Sequence, residues 1–427
     1  MKVFFGGLLL LGINSASFAQ QSLPAFIDSA IKNSPLIKDN QNQSKANQLE
    51  IERLKAQFTK PQIGLTGNFL AAPIISADNN TRLVFNSKGA DKYYGYDLGA
   101  TNGGQYQGLV TITQPIFNQE RYKVYGEQAD IASQINRNNI KLTEHDVVKF
   151  VTDQYILCLL DLQQSDYARD MLGLLQAQRD IVKKLADNAL LKQSDYSLIN
   201  IEYENFKNQF ALSNANYWRD LLDLKILAGI RDTSFVALDT LVLTLKDEAP
   251  SFTSNYLEKY KLDSLNLQAT QKIFETKYRP QLNVFANSGL NAVNFETIPS
   301  RFGLSAGLSL TWNIFDGQQK QITRQKTKYL LQSVTAYRDN FLVQNDLRKS
   351  KFIQELNSYK ERSALLQQQL SEYNSVINSY RKELISGQQS VINFINTIKN
   401  MAIVQRDYSL LQTNQLLLIN AYNYWNW

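Results

Sequence analysis

Thr113-Gln114-Pro115-Ile116-Phe117-Asn118 returns as Thr311-Trp312-Asn313-Ile314-Phe315-Asp316, roughly 200 residues later, and such internal repeats fix an architecture before any single residue does. Upstream of each copy stands a second echo: Lys60-Pro61-Gln62-Ile63-Gly64-Leu65 matches Arg279-Pro280-Gln281-Leu282-Asn283-Val284. In both copies Pro-Gln opens a strand-like segment, Ile-Phe-Asn/Asp closes one, and a long helical segment follows. Pro61, Pro115, Pro280, Phe117 and Phe315 are the boundary markers of this unit. The reading is a strand-pair-plus-hairpin repeat over residues 20–245 and a second over 246–427, intertwined as one domain. The strands are expected at about 61–72, 106–115, 280–290 and 303–313.

Between the strand pairs, helix breakers vanish. Gln318 to Ser386 and Gln388 to Trp427 contain neither glycine nor proline, and Glu127 to Leu172 and Leu174 to Ala228 are equally free of them. A helix over the first of these spans would be roughly 100 Å long at about 1.5 Å per residue, far beyond the helices of ordinary globular domains. Phe352, Leu356, Tyr359, Ser363, Leu366, Leu370, Tyr373, Ile377, Tyr380 and Leu384 recur in steps of four and three, which is a coiled-coil seam. Val148, Val151, Tyr155, Cys158 and Leu162 repeat the pattern in the first half.

The strand-like segments alternate with period two instead. Leu304, Ala306, Leu308, Leu310 and Trp312 are interleaved with Ser305, Gly307, Ser309 and Thr311, and the other three segments follow suit, with Phe285 out of phase. About ten residues of such alternation suit a tilted transmembrane β-strand. The pair in the first repeat is linked by a long polar stretch, Ala72 to Tyr106, and the second by a short one, Asn291 to Phe302.

The N-terminus has the form of a secretory signal over residues 1–19: Lys2, an apolar run from Val3 to Ile13, then Ser17-Phe18-Ala19. That run is too short to span a bilayer, no later stretch is apolar enough, and no cysteine stands immediately after the expected cleavage point, so a lipid-modified N-terminus is not expected. The single cysteine, Cys158, excludes an intrachain disulfide. A net charge of +6 is spread among interspersed acids and bases, with no basic run interleaved with aromatics, so nucleic acid is not an expected partner.

If the four strands lie in a membrane, one chain cannot complete the structure. An open sheet edge is not tolerated in lipid, and closed outer-membrane barrels start at about eight strands. Several copies must contribute to one barrel.

With these motifs in this order, the chain resembles the TolC-type outer-membrane efflux factor family over almost all of its mature length. Two hairpin tips add to the resemblance: residues 385–394, with Gly387 at the turn, and residues 186–196, where Asn188 is expected to take the glycine's place. The fold class implied is α+β, mainly α. Long antiparallel coiled-coil hairpins would form a periplasmic tunnel, and four transmembrane strands per protomer would enter a shared trimeric barrel. Residues near Leu224 to Ile273 would form a belt about the tunnel. The resemblance further implies a homotrimer in the outer membrane of a Gram-negative bacterium, extending into the periplasm, with its barrel in the lipid bilayer. Its partners would be a periplasmic adaptor and an inner-membrane pump, and its work passive export without cofactor or catalysis. Asn188, Leu190, Leu191, Ser194, Gly387 and Ser390 are the implied adaptor-binding tip residues, and Asp195, Gln389, Asn393 and Asn396 the implied pore entrance. There the chain departs from the family, in which aspartates stand at the positions of Asn393 and Asn396 and an arginine at that of Gln389. A second departure is Asn313 where the first repeat has Pro115; the same corner is expected in both.

Enzymatic constellations are missing from the sequence. His145 is the only histidine and reads as a solvent-facing or interhelical side chain; Cys158 lies on an apolar stripe; Glu202 and Glu204 read as a solvated helix face. There is no phosphate-binding glycine loop or nucleophile elbow. Tyr422, Tyr424, Trp425 and Trp427 are expected to pack the last helix against the belt. Two other readings stay open on the sequence: a periplasmic coiled-coil adaptor or scaffold without a barrel, and a soluble-sheet enzyme.

Overall fold

The computed structural model describes residues 22–78, 82–84, 92–96 and 104–427, so the expected signal segment lies outside the described residues. Among the described residues, seven α-helices and seven strands follow one another as α1 (Leu23–Asn33), α2 (Pro35–Thr59), β1 (Gln62–Ala71), β2 (Ile74–Ser76), β3 (Arg82–Val84), β4 (Tyr93–Tyr94), β5 (Gly104–Ile116), α3 (Gln119–Asp187), α4 (Gln193–Leu227), α5 (Leu257–Glu275), β6 (Gln281–Ala292), β7 (Phe302–Thr311), α6 (Gln319–Ile385) and α7 (Val391–Trp425). The breaker-free stretches are helices: α3 runs 69 residues and α6 runs 67. Two compact units result. One comprises residues through Asp39, Asn139–Leu257 and Asp339–Trp427, the other Asn40–Asn138 and Glu258–Arg338. Each draws on both sequence repeats.

In the first unit, the seam residues of α6 are all buried or half-buried, while most residues between them are exposed. Leu370, Ile377 and Leu384 join Met171, Leu175 and Val182 of α3, Ile199 and Phe206 of α4, and Phe394, Ile395 and Ile398 of α7 in one apolar core. Each fully buried Leu, Ile or Phe there contributes about 1.5–3 kcal/mol. A second core of the same unit gathers Phe26 and Ala30 of α1, Val151, Tyr155 and Cys158 of α3, and Tyr217, Leu221 and Leu224 of α4. Cys158 is wholly buried, and desolvation pushes its thiol pKa up, which fits an inert small hydrophobe.

After α4 the chain runs largely without regular structure to α5, tied down by side chains. The buried Lys225 donates from Nζ to the Ser234 carbonyl at 2.6 Å, and the Tyr217 hydroxyl donates to the Val236 carbonyl at 2.7 Å. The aromatic end of α7 is anchored in the same unit. The His145 ring is stacked between those of Tyr424 and Trp427, at 4.7 and 4.1 Å, and Tyr256 packs edge-on to both. His145 is therefore interhelical, with Nε2 2.8 Å from the Tyr424 carbonyl. Glu202 corrects an expectation: it is buried and faces Lys399 of α7 at 3.1 Å, whereas Glu204 is exposed. An apolar neighbourhood on one side and a lysine on the neighbouring helix outweigh the local polar pattern.

The second unit contains the four-stranded sheet β1-β5-β6-β7, antiparallel throughout, and a small sheet β3-β2-β4 within the long link. Pro61 and Pro280 each immediately precede a strand, where a missing N–H costs no ladder bond. Pro115 corrects another expectation. It stays inside β5, paired with Asn283 of β6, just past Thr113, where pairing with β1 stops. The two corners also differ. Phe117 turns the first with φ 61°, while Gly317 and Gln318, two and three residues past Phe315, turn the second with φ 69° and 70°. Beside the sheet, Arg324 of α6 makes a two-pronged ion pair with Glu275 of α5 at 2.7 and 2.8 Å.

Candidate functional site: a two-faced sheet and two hairpin tips

Strand register sorts every side chain of the sheet onto one of two faces. Ile63, Ile112, Ala286 and Ala306 form one cross-strand row, and Leu65, Val110, Ser288 and Leu304 the next; Ile116, Leu282 and Leu310 continue the same face. The opposite face carries Gly64, Thr111, Asn287 and Ser305 in one row and Asn68, Gln107 and Asn291 in another. Alternation visible in single segments thus adds up across four strands to an apolar face and a polar one. Phe285, out of phase, is accommodated on the polar face by its partner Gly307, where a Cβ would come within 2.7 Å of the ring.

The apolar face is uncovered. Ile63 is 72 % exposed, Leu65 79 %, Leu304 81 % and Leu308 68 %. Patches of this extent mark a surface with another phase or partner against it. The two outer strands, β1 and β7, each leave one backbone edge unpaired within the sheet. No helix among the described residues is long and apolar enough to cross a membrane.

The hairpin tips, in the other unit, repeat each other closely. At the second tip Gly387 adopts φ 74°, and the N–H groups of Gln388 and Gln389 both donate to the Glu383 carbonyl. At the first tip the left-handed residue is Ala189, with φ 57°, and Leu190 and Leu191 both donate to the Leu185 carbonyl. Asn188 was expected in that role. It instead ends α3 by donating its side-chain amide to the Lys184 carbonyl at 2.8 Å, which also accepts the backbone N–H of Asn188 at 3.2 Å. With Ala189 opposite Gly387, the repeats fall into step: Ile116 to Ala189 and Ile314 to Gly387 are each 73 positions (189 − 116 and 387 − 314), and α4 and α7 each have 35 residues.

The implied entrance residues take up helix-capping geometry. Ser390 caps α7 by accepting from the Asn393 N–H at 3.3 Å, and Gln389 Oε1 accepts from the Ser390 N–H at 3.0 Å and from Asn393 Nδ2 at 2.9 Å. Asp195, third residue of α4, accepts from the Lys192 N–H at 3.2 Å, where the helix dipole favours an acid. Asn396, Ser194 and Leu190 are exposed, and Leu191 packs on the core of the helices. Among the described residues, no group of histidine, cysteine and carboxylate side chains could hold a metal ion.

No family model matches the sequence, and no curated protein matches it significantly. Solved structures do resemble it. The chain is similar to CusC, a protein solved in a study of transmembrane channel formation, with TM-score 0.72, 11% identity, and 96% of this chain and 92% of that one covered. It is similar to the outer membrane protein VceC of Vibrio cholerae, with TM-score 0.70, 11% identity and coverage of 95% and 96%. It is similar to the MtrE outer membrane channel of Neisseria gonorrhoeae, with TM-score 0.68, 11% identity and coverage of 95% and 88%. Mainly helical with a small share of strand, as the resemblance implies, the single chain has over nearly its whole length the fold of these outer-membrane channels.

Proposed function

We propose that this protein is an outer-membrane channel whose strands form part of a shared β-barrel and whose helical hairpins continue the conduit through the periplasm. The observation that carries the reading is the sheet. It has a bare apolar face, a polar face and two unpaired edges, and in lipid such edges must be closed by further strands. Three copies would supply about twelve strands, within the range of closed outer-membrane barrels. The work is passive on this reading, in keeping with a sequence that carries no phosphate-binding glycine loop and no nucleophile elbow. Energy would come from an inner-membrane pump reached through a periplasmic adaptor at the hairpin tips, around Asn188, Leu190, Ser194, Gly387 and Ser390. The outer-membrane channels that share the fold support this reading.

Fractionation tests it. The protein is expected in the outer membrane after a carbonate wash and as a trimer on chemical crosslinking. Release by the wash as a single-copy soluble species would contradict the proposal and favour a periplasmic scaffold.

A further inference from the structure

The four strands of the main sheet contain no Asp, Glu, Lys, Arg or His, although a fifth of the chain's residues (20%) are charged. Its polar face carries amides and hydroxyls, with Leu70, Leu109 and Phe285 as the apolar exceptions. These side chains bridge neighbouring strands: Asn68 Nδ2 donates to Gln107 Oε1 at 3.2 Å, Gln105 Nε2 to Asn291 Oδ1 at 3.3 Å, and Asn287 Nδ2 to Ser305 Oγ at 3.5 Å. We propose that this face is a charge-neutral, hydrogen-bonding pore lining that passes solutes of either sign without preference. The inference rests on the barrel reading above, which turns the apolar face to lipid and the polar face to the lumen.

Ion preference in wide pores comes from rings of fixed charge. Amides and hydroxyls offer donors and acceptors together, so they wet the wall yet hold neither anions nor cations against it. Among the described residues, charges flank the strands rather than sit in them: Lys60 stands before β1, Arg279 stands before β6 and is ion-paired with Glu120, and Arg301 precedes β7. At physiological salt their field is screened over about 8 Å, so they act on the rims and leave the wall between neutral. The cargo class that fits is hydrophilic and not sorted by charge.

The test uses the whole protein in planar bilayers under a KCl gradient. The ratio of potassium to chloride permeability is expected within about twofold of unity; a clear preference for either ion would overturn the proposal. Ser305→Cys on the polar face and Ser288→Cys on the apolar face are near-isosteric, and the native Cys158 is buried, so an anionic water-soluble thiol reagent reads out the introduced cysteine alone. Modification of the Ser305→Cys protein should raise the ratio about threefold or more toward cations, and the Ser288→Cys channel should stay unchanged. The reverse pattern would overturn the face assignment while leaving a channel in place. A protein that inserts no conducting channel at all would overturn the proposed function itself, and this inference with it.

Discussion

Gly289 of β6 lies so close to Gly108 of β5 that a Cβ added to Gly289 would come within 2.1 Å of the Gly108 carbonyl oxygen. Gly289 also has φ 153°, which side-chain-bearing residues avoid, whereas a Cβ on Gly108 would meet nothing within 4 Å. Gly289→Ala should therefore cost about 3 kcal/mol or more through forced backbone movement and deplete the assembled membrane form. Gly108→Ala should be tolerated. Thermal stability of the detergent-purified assembly, measured for both variants, checks the contrast.

Ala189 and Gly387 hold the same left-handed turn, but only the glycine does so without steric cost. Ala189→Gly is expected to stabilise the first hairpin by about 1 kcal/mol, and Gly387→Val to destabilise the second by about 1–2 kcal/mol. Calorimetric unfolding would show the opposite signs. If Gly387 lies where an adaptor docks, its valine variant should also crosslink to that partner less well.

Asn393 and Asn396 carry no charge where the resembled family has aspartates, so block of the channel by multivalent cations from the periplasmic side should be weak. The double variant Asn393→Asp/Asn396→Asp should introduce it, since a ring of carboxylates creates a cation site. Bilayer recordings with and without the blocking ion decide the matter; strong block of the unmodified channel would contradict the expectation.

The Arg324 guanidinium beside Glu275 holds that carboxyl down at about 2, from an ordinary value of 4.5. A depressed pKa means the pair's contribution is present above pH 4.5 and is lost as pH falls toward 2. Glu275→Gln should lower stability at neutral pH and flatten the fall in stability over that acid range. Because both partners are partly exposed, the effect is expected to be modest. Unfolding midpoints across the pH range for both proteins provide the measurement.

What the sequence disclosed depended on whether the cause was periodic. The α6 seam was readable residue by residue because a buried stripe must recur in steps of three and four, and the four strands because a pleat alternates sides. Two isolated choices were not readable. Ala189 has no intrinsic liking for a left-handed turn, whereas its neighbour Asn188 does; the equal spacing from Ile116 to Ala189 and from Ile314 to Gly387 is the signal that separates them. The Glu202–Lys399 pair joins residues far apart in sequence, and nothing local in Glu202 announces burial. Pro115 misled for a related reason: proline forbids donation on one side only, and β5 had already lost that neighbour. Which face of the sheet was polar as a whole emerged only from the register of β5 against β6.

Direction along the sheet alternates from β1 through β5 and β6 to β7, and four is an even number. In a shared barrel the last ribbon of one molecule would therefore run opposite to the first ribbon of the next. A ring of two, three or four molecules would close with every seam alike and no like-directed junction. Hydrogen-bond parity is thus indifferent to stoichiometry, and the count of subunits in such a ring would rest on contacts other than strand direction.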